Sequence, residues 1–245
     1  MKDDKILVGR KPVLDALEGG TKIEKLWIDK DMWGELEKHV RRLSREMKIP
    51  LQYVPKQKLA ALSSKANHQG LAAQLAIVDY CTIDEYLPMI YEQGRTPFIL
   101  VLDGVEDVRN LGALARSAVW FDCDAIVIPT KKSAPINSFA YKSSAGAIKD
   151  IQICRESNLA EALDYMKESG LQIIVADAQD SDSLNSPDMS QPLALVMGSE
   201  GVGISREVFK KADALMRIEG SGRVESLNVS VAGAILMNKI FEERI

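Results

Sequence analysis

Residues 98–129 read "FILVLDGVEDVRNLGALARSAVWFDCDAIVIP", and three segments stand out. "FILVLDGV" is an apolar run of strand length, "NLGALARSAVWF" repeats apolar residues at helical spacing, and "DAIVIP" is again a short apolar run. A strand without polar alternation is buried on both faces, and two such strands joined by a helix lie parallel. This βαβ unit decides the fold class, because it requires a parallel sheet with helices covering both sides.

The same pattern continues toward the C-terminus. Helical "NSFAYKSSAGAI" leads to strand "IQICR" and helix "NLAEALDYMKESG". Strands "LQIIVADA" and "PLALVMGSE" follow, then helix "SREVFKKADA", strand "LMRIE" and the final helix "SLNVSVAGAILMNKIFEE". Residues 97–245 therefore read as one α/β domain, whose ligands are expected in the loops after the strands.

Toward the N-terminus, residues 1–79 read as a smaller α/β unit. Its helix "KPVLDALEGG" ends on a Gly-Gly stop, "KIEKLWID" alternates as a strand, and helix "WGELEKHVRRLSREMK" breaks at Pro50. "LQYVP" and "GLAAQLAIVDY" supply further strands. Residues 80–96, polar with Pro and Gly, read as a linker with a little helix.

The totals fit a soluble globular chain, with 46% hydrophobic and 27% charged residues among 245. No apolar run approaches the ~18 residues that cross a bilayer. The start, "MKDDKILVGR", has no hydrophobic segment of the secretory kind. Cys81, Cys123 and Cys154 are far apart in sequence and form no CxxC or Cys/His cluster, so buried thiols, no metal and a reducing cytoplasm are expected. The net charge of −4 divides unevenly. Residues 1–80 hold 15 Lys and Arg against 11 Asp and Glu, and the remainder 16 against 24. The basic run "KHVRRLSREMK" at 38–48 fits either a nucleic-acid face or a solvated helix surface.

Three loops after strands hold residues with chemistry. In "DGVEDVRNLGALARSA" (103–118), Asn110 stands at an expected helix N-cap. Arg116 follows on that helix, where it either serves a site or carries its charge out to water. "LVMGSEGVGIS" (195–205) places three glycines and Glu200 after a buried strand. It is neither a Walker loop nor G-x-G-x-x-G, and its glycines suit a ligand's close approach or a tight turn equally. "MRIEGSGRVESLNVSVAGAIL" (216–236) sets Ser226 at an expected cap of an apolar helix, with Asn228 inside the first turn.

Taken in this order, "NLGALARSA", "MGSEGVGIS" and "ESLNVSVAGAIL" resemble motifs one, two and three of the SpoU (TrmH) family of RNA ribose 2′-O-methyltransferases. "VGRKPVLDAL" and "GLAAQLA" resemble the L30e-like RNA-binding domain of its 23S ribosomal RNA guanosine branch. The resemblance covers nearly the whole chain. It implies an L30e-like α/β domain followed by a SPOUT-class domain with a parallel sheet and a trefoil-knotted C-terminal end. It further implies S-adenosylmethionine as methyl donor, and a homodimer whose sites are completed across the subunit interface. The implied substrate is ribosomal RNA (23S) or transfer RNA.

Carried over by motif, Asn110, Arg116, Glu200, Ser226 and Asn228 are the implied catalytic residues. Gly198, Ile218 and Leu227 line the implied cofactor site, with Met197 and Ser199 adjacent. Ser226 is expected both to cap its helix and to serve the site. Arg10 and Lys11 at a helix start are expected to meet RNA phosphates. One departure concerns Glu219 and Gly220, which stand where Pro-Met is common in the family and bring a charge where an apolar side chain is usual.

Overall fold

The computed structural model describes residues 5–62, 66–176 and 187–245. They form two compact units, one of Met1–Asp79 with Pro135–Ser138 and one of Tyr80–Ala134 with Phe139–Ile245.

The smaller unit runs β1 (Ile6–Val8), α1 (Arg10–Glu18), β2 (Ile23–Asp29), α2 (Glu35–Glu46), β3 (Leu51–Val54), α3 (Lys56–Leu62) and β4 (Leu71–Leu75). The sheet order is β1-β4-β2-β3, with β4 antiparallel to both neighbours and β3 parallel to β2. Strand β2 does not alternate as expected. It is central and covered on both faces, so Trp27 is buried as well as Leu26 and Ile28. On α2, Lys38, Arg41 and Arg42 pair with Glu35, Glu37 and Glu46 at i,i+3 and i,i+4 spacing. That is the solvated-helix reading of the 38–48 run, in which each of these cations has its carboxylate on the same surface.

The larger unit runs β5 (Tyr80–Cys81), α4 (Ile83–Glu92), β6 (Phe98–Asp103), α5 (Val108–Trp120), β7 (Ala125–Pro129), α6 (Ser138–Ser143), β8 (Gln152–Glu156), α7 (Leu159–Glu168), β9 (Gln172–Ala176), β10 (Leu193–Gly198), α8 (Arg206–Phe209), β11 (Ala214–Met216) and α9 (Val229–Arg244). Its seven strands are ordered β11-β9-β10-β6-β7-β8-β5, and every pairing is parallel. The residues from Ile99 to Val101 and from Ala125 to Val127 are wholly buried, as continuous apolar strands require. The expected strand "LQIIVADA" is found over Gln172–Ala176, and its last two residues lie outside the described residues. The expected helix "SREVFKKADA" shrinks to the single turn of α8.

The linker reading of residues 80–96 is corrected. Tyr80–Cys81 pairs with β8. Ile83, Leu87 and Ile90 of α4, at i, i+4 and i+7, are buried in the larger unit's core. Pro88 inside the helix concealed that stripe, and the Glu85 carboxylate stabilises the helix start by accepting the Thr82 amide at 2.9 Å. The register also sets Cys81 beside Cys154, Sγ to Sγ 3.4 Å, with both thiols free. The Cys81 hydrogen bond and burial push the Cys154 thiol upward in pKa, which keeps it an unreactive core group.

Arg244, at the end of α9, fixes that helix to the sheet. Its guanidinium donates to the carbonyls of Met189 (2.8 Å), Gln191 (2.6 Å) and Thr96 (3.1 Å), where β10 and β6 are about to begin. Arg244→Met keeps the length and strands these acceptors. The expected loss of unfolding free energy is about 2–4 kcal/mol, read as a lowered urea midpoint with unchanged slope.

Candidate active site

Helix α5 begins at Asp107, not at Asn110. The Asp107 carboxylate accepts the amides of Arg109 (2.7 Å) and Asn110 (3.4 Å), which places Asn110 in the first turn with its side chain free to point outward. Asp and Asn both cap well, and they lie three residues apart, so spacing alone favoured the wrong one. The Arg109 side chain closes on the same carboxylate at 3.0 Å. This ion pair, first among the causes, holds the Asp107 pKa down at about 2. The group's stabilising effect is therefore complete above the unfolded value of 3.8 and disappears as pH falls through about 2. A carboxyl NMR titration is expected to give a midpoint near 2 for Asp107, moving back toward the ordinary Asp range in Arg109→Leu.

The second loop is a tight turn. Ser199 and Gly203 exchange backbone hydrogen bonds of 3.1 and 2.9 Å, and Gly201 and Gly203 take positive φ of 88° and 73°. A Cβ on Gly198 would lie 2.3 Å from the Gly203 carbonyl carbon, so the loop folds back directly over that glycine. Strand β6 ends beside it, Asp103 in register with Gly198, and the Asp103 carboxylate accepts the Ser205 amide at 2.6 Å. Asp103 thus ties the first loop to the second, a role that the sequence pattern did not mark.

The third loop leads to α9, and Asn228 is its cap. Asn228 Oδ1 accepts the Ser230 amide at 3.0 Å. Ser226 is exposed and lies two residues before the cap, which corrects its expected capping role. The cap leaves the Asn228 amide group free, and Nδ2 donates to Glu200 Oε1 at 2.5 Å and to Asn110 Oδ1 at 3.1 Å. Asn110 Nδ2 also donates to Glu200 Oε1, at 3.1 Å. Asn110 and Asn228, from the first and third motifs, thereby converge on one carboxylate oxygen of Glu200 in the second. Asn110 and Glu200 line a cavity of about 290 Å³ with Gly104, Val105, Glu106, Asp107, Ser199 and Val229.

The remaining expected residues lie around this cluster or away from it. Arg116 is exposed on α5, six residues beyond Asn110, so it lies about 9 Å along the axis and on another face. Ser199 lines the cavity. Met197 is a core residue at 3% exposure, and its side chain lies near Gly233 of α9, which leaves only its backbone to a ligand. Ile218 is half-buried and Leu227 is 45% exposed. Glu219 pairs with Arg217 at 2.6 Å, so the charge that departs from the family pattern has a partner. Arg10 and Lys11 are exposed at the start of α1 in the smaller unit. Among the described residues, no group of His, Cys, Asp and Glu is arranged to hold a metal, and no helix is long and apolar enough to cross a membrane.

Residues 97–238, which supply every member of the cluster, match the family model described as the SpoU rRNA Methylase family. The chain belongs to this family. Residues 6–81 match a second model, described as RNA 2′-O ribose methyltransferase substrate binding. A Bacillus subtilis protein named for the TrmH family of tRNA/rRNA methyltransferases is 36% identical over 238 residues, which is 97% of this chain and 95% of the relative. The structure of an AdoMet-bound rRNA methyltransferase from Sinorhizobium meliloti superposes with a TM-score of 0.60 at 22% identity, over 98% of this chain and 87% of that one. An A. aeolicus TrmH/SpoU tRNA modifying enzyme superposes with a TM-score of 0.54 at 26% identity, over 66% of this chain and 84% of that one. As a member of the SpoU family, the protein is an RNA methyltransferase.

Proposed function

We propose that this SpoU-family protein transfers the methyl group of S-adenosylmethionine to the ribose 2′-hydroxyl of a guanosine in 23S ribosomal RNA. The observation that carries the reading is the convergence of Asn110 and Asn228 on Glu200 at a cavity within the SpoU-matching residues. Ribosomal RNA is favoured over transfer RNA by coverage: the named rRNA enzyme aligns with 98% of this chain and the named tRNA enzyme with 66%.

The loops suit the donor. We assign the backbone groups beside Ile218 and Leu227, in the loop between β11 and α9, to the adenine edge. Glu106, Asp107 and Glu200 line the cavity with carboxylates, which favours a cationic sulfonium. Gly198, Ser199 and the Met197 backbone would hold the donor from the second loop. When bound, S-adenosylmethionine supplies an electrophilic methyl group with a neutral thioether as leaving group.

A ribose hydroxyl is a weak nucleophile and must lose its proton as it attacks. Both asparagine amides occupy Glu200 Oε1, so Oε2 is the oxygen that can take that proton. With the donor bound, methyl transfer to the ribose oxygen would release the neutral thioether, and Glu200 would take the hydroxyl proton. Holding Glu200 with two amide donors fixes the base before substrate arrives, and a positioned general base contributes about 10²- to 10⁴-fold in rate. Arg116, whose guanidinium offers donors and no acceptor, is assigned to the adjacent phosphate and the developing alkoxide. Ser226 completes the hydrogen bonding around the ribose.

A homodimer fits this arrangement, because Arg116 lies off the cluster of its own chain. Exposed apolar side chains surround the second and third loops, with Val202 86%, Val224 70% and Val231 48% accessible. The C-terminal segment is read as knotted, the smaller unit as an L30e-like substrate-binding domain, and the cytoplasm as the site of action. The test incubates the protein with tritium-labelled S-adenosylmethionine and unmodified 23S or transfer RNA, then digests to nucleosides. Label in 2′-O-methylguanosine from 23S RNA is expected. Label from transfer RNA alone would move the substrate, and no label in either would overturn the reading.

A further inference from the structure

We propose that one end of the smaller unit's sheet binds unpaired RNA, with the Trp33 indole as the surface on which a base stacks. The proposal rests on the RNA-methylation reading and locates where the substrate is gripped away from the chemistry. Topology gathers four loops at that end. Val8 pairs with Ala72, Ile28 with Leu71, and Asp29 with Val54, so β1, β2 and β3 finish where β4 begins. Hydrogen bonds close the loops on one another. Gly9 N donates to Leu71 O at 3.0 Å, Asp29 N to Gly70 O at 2.9 Å, Lys30 N to Val54 O at 2.9 Å, and Arg10 Nε to Gln69 O at 3.1 Å.

Trp33 is 88% exposed in this cluster, whereas Trp27 of the same unit is 7% exposed. Its backbone is held on both sides. Met32 packs with the core and so closely on Gly70 that a Cβ there would lie 2.5 Å from its methyl carbon. Gly34 takes a φ of 96° and begins α2. The indole is thus presented by a fixed frame. Arg10, Lys11, Lys30 and Lys56 are exposed on these loops. Against them stand exposed Asp31, exposed Glu35 paired with Lys38 at 3.0 Å, and buried Asp29, the last 3.8 Å from the Lys56 ammonium. An exposed aromatic face at an end of the sheet that also carries exposed cations suits a polyanion with accessible bases, and every base offers a π-face. Duplex RNA keeps its bases stacked inside, so the expected ligand is a loop or single-stranded segment.

The test uses the full chain carrying Trp120→Phe, which leaves buried Trp27 and exposed Trp33 as the indoles. A single-stranded oligoribonucleotide dodecamer is titrated at low salt and indole emission is followed. Quenching is expected with the single strand and not with its duplex. Trp33→Ala is expected to weaken binding about 5- to 150-fold, the range for one stacked base, while Trp33→Phe retains most of it. In methyl transfer, Trp33→Ala should raise KM with kcat unchanged. Equal binding by the alanine variant, equal quenching by duplex, no binding of the dodecamer, or emission that follows protein concentration alone would each overturn the proposal. Transfer to RNA by wild type alongside any of these leaves the proposed function standing, and its absence counts against that function separately.

Discussion

Glu200→Ala is expected to lower kcat/KM for methyl transfer about 10²- to 10⁴-fold with almost no change in stability. The activity range is that of a lost general base together with misplaced orienting groups. Glu200 is exposed, and its described partners are the side-chain amides of Asn110 and Asn228. Removing a surface carboxylate costs folding within about 0.5 kcal/mol. Glu200→Gln sharpens the result, because it preserves an acceptor for the two amides and removes the proton acceptor. Turnover should fall nearly as far as in the alanine variant while the thermal midpoint stays at wild type. Steady-state kinetics and a melting curve on the same preparations check both statements. A glutamine variant with wild-type turnover would show that the proton goes elsewhere.

Asn228 should separate stability from chemistry in a different way, since one side chain does both jobs. Its Oδ1 caps α9 and its Nδ2 holds Glu200 and Asn110. Asn228→Ala loses both functions, with an expected 0.5–2 kcal/mol of stability and about 10²-fold or more in turnover. Asn228→Asp keeps a good cap, so the thermal midpoint should return toward wild type. It also places a second carboxylate where Glu200 had a donor at 2.5 Å, so turnover should remain low. Stability that fell equally in both variants would mean that the cap contributes little. Activity that recovered in the aspartate variant would remove Asn228 from the cluster.

How far the sequence alone could reach follows from particular residues. Strands β6, β7 and β10 were legible because a parallel sheet buries both faces and leaves unbroken apolar runs. Helix α4 was not, since Pro88 and the nearby Gly94 punctuate the stretch like a linker and its three buried residues carry a weak stripe. The caps were misplaced within loops that were correctly found. Asp107 and Asn110, or Ser226 and Asn228, are equally good capping chemistry, and only backbone angles and the direction of each side chain decide between them. The cluster itself joins residues 28 to 118 positions apart, and no spacing rule connects them. Recognising three motifs in order supplied that connection. The neighbouring thiols of Cys81 and Cys154 depend on strand register, which composition does not encode.

The most direct test asks where on the RNA the methyl group goes. RNA labelled by the wild-type protein from tritiated S-adenosylmethionine is hydrolysed in alkali, which cleaves only beside a free 2′-hydroxyl. The account predicts label confined to alkali-resistant dinucleotides, with guanosine on the 5′ side and no such label from Glu200→Ala. Label released as ordinary mononucleotides would place the methyl group on a base and contradict ribose 2′-O-methylation at the Asn110–Glu200–Asn228 site.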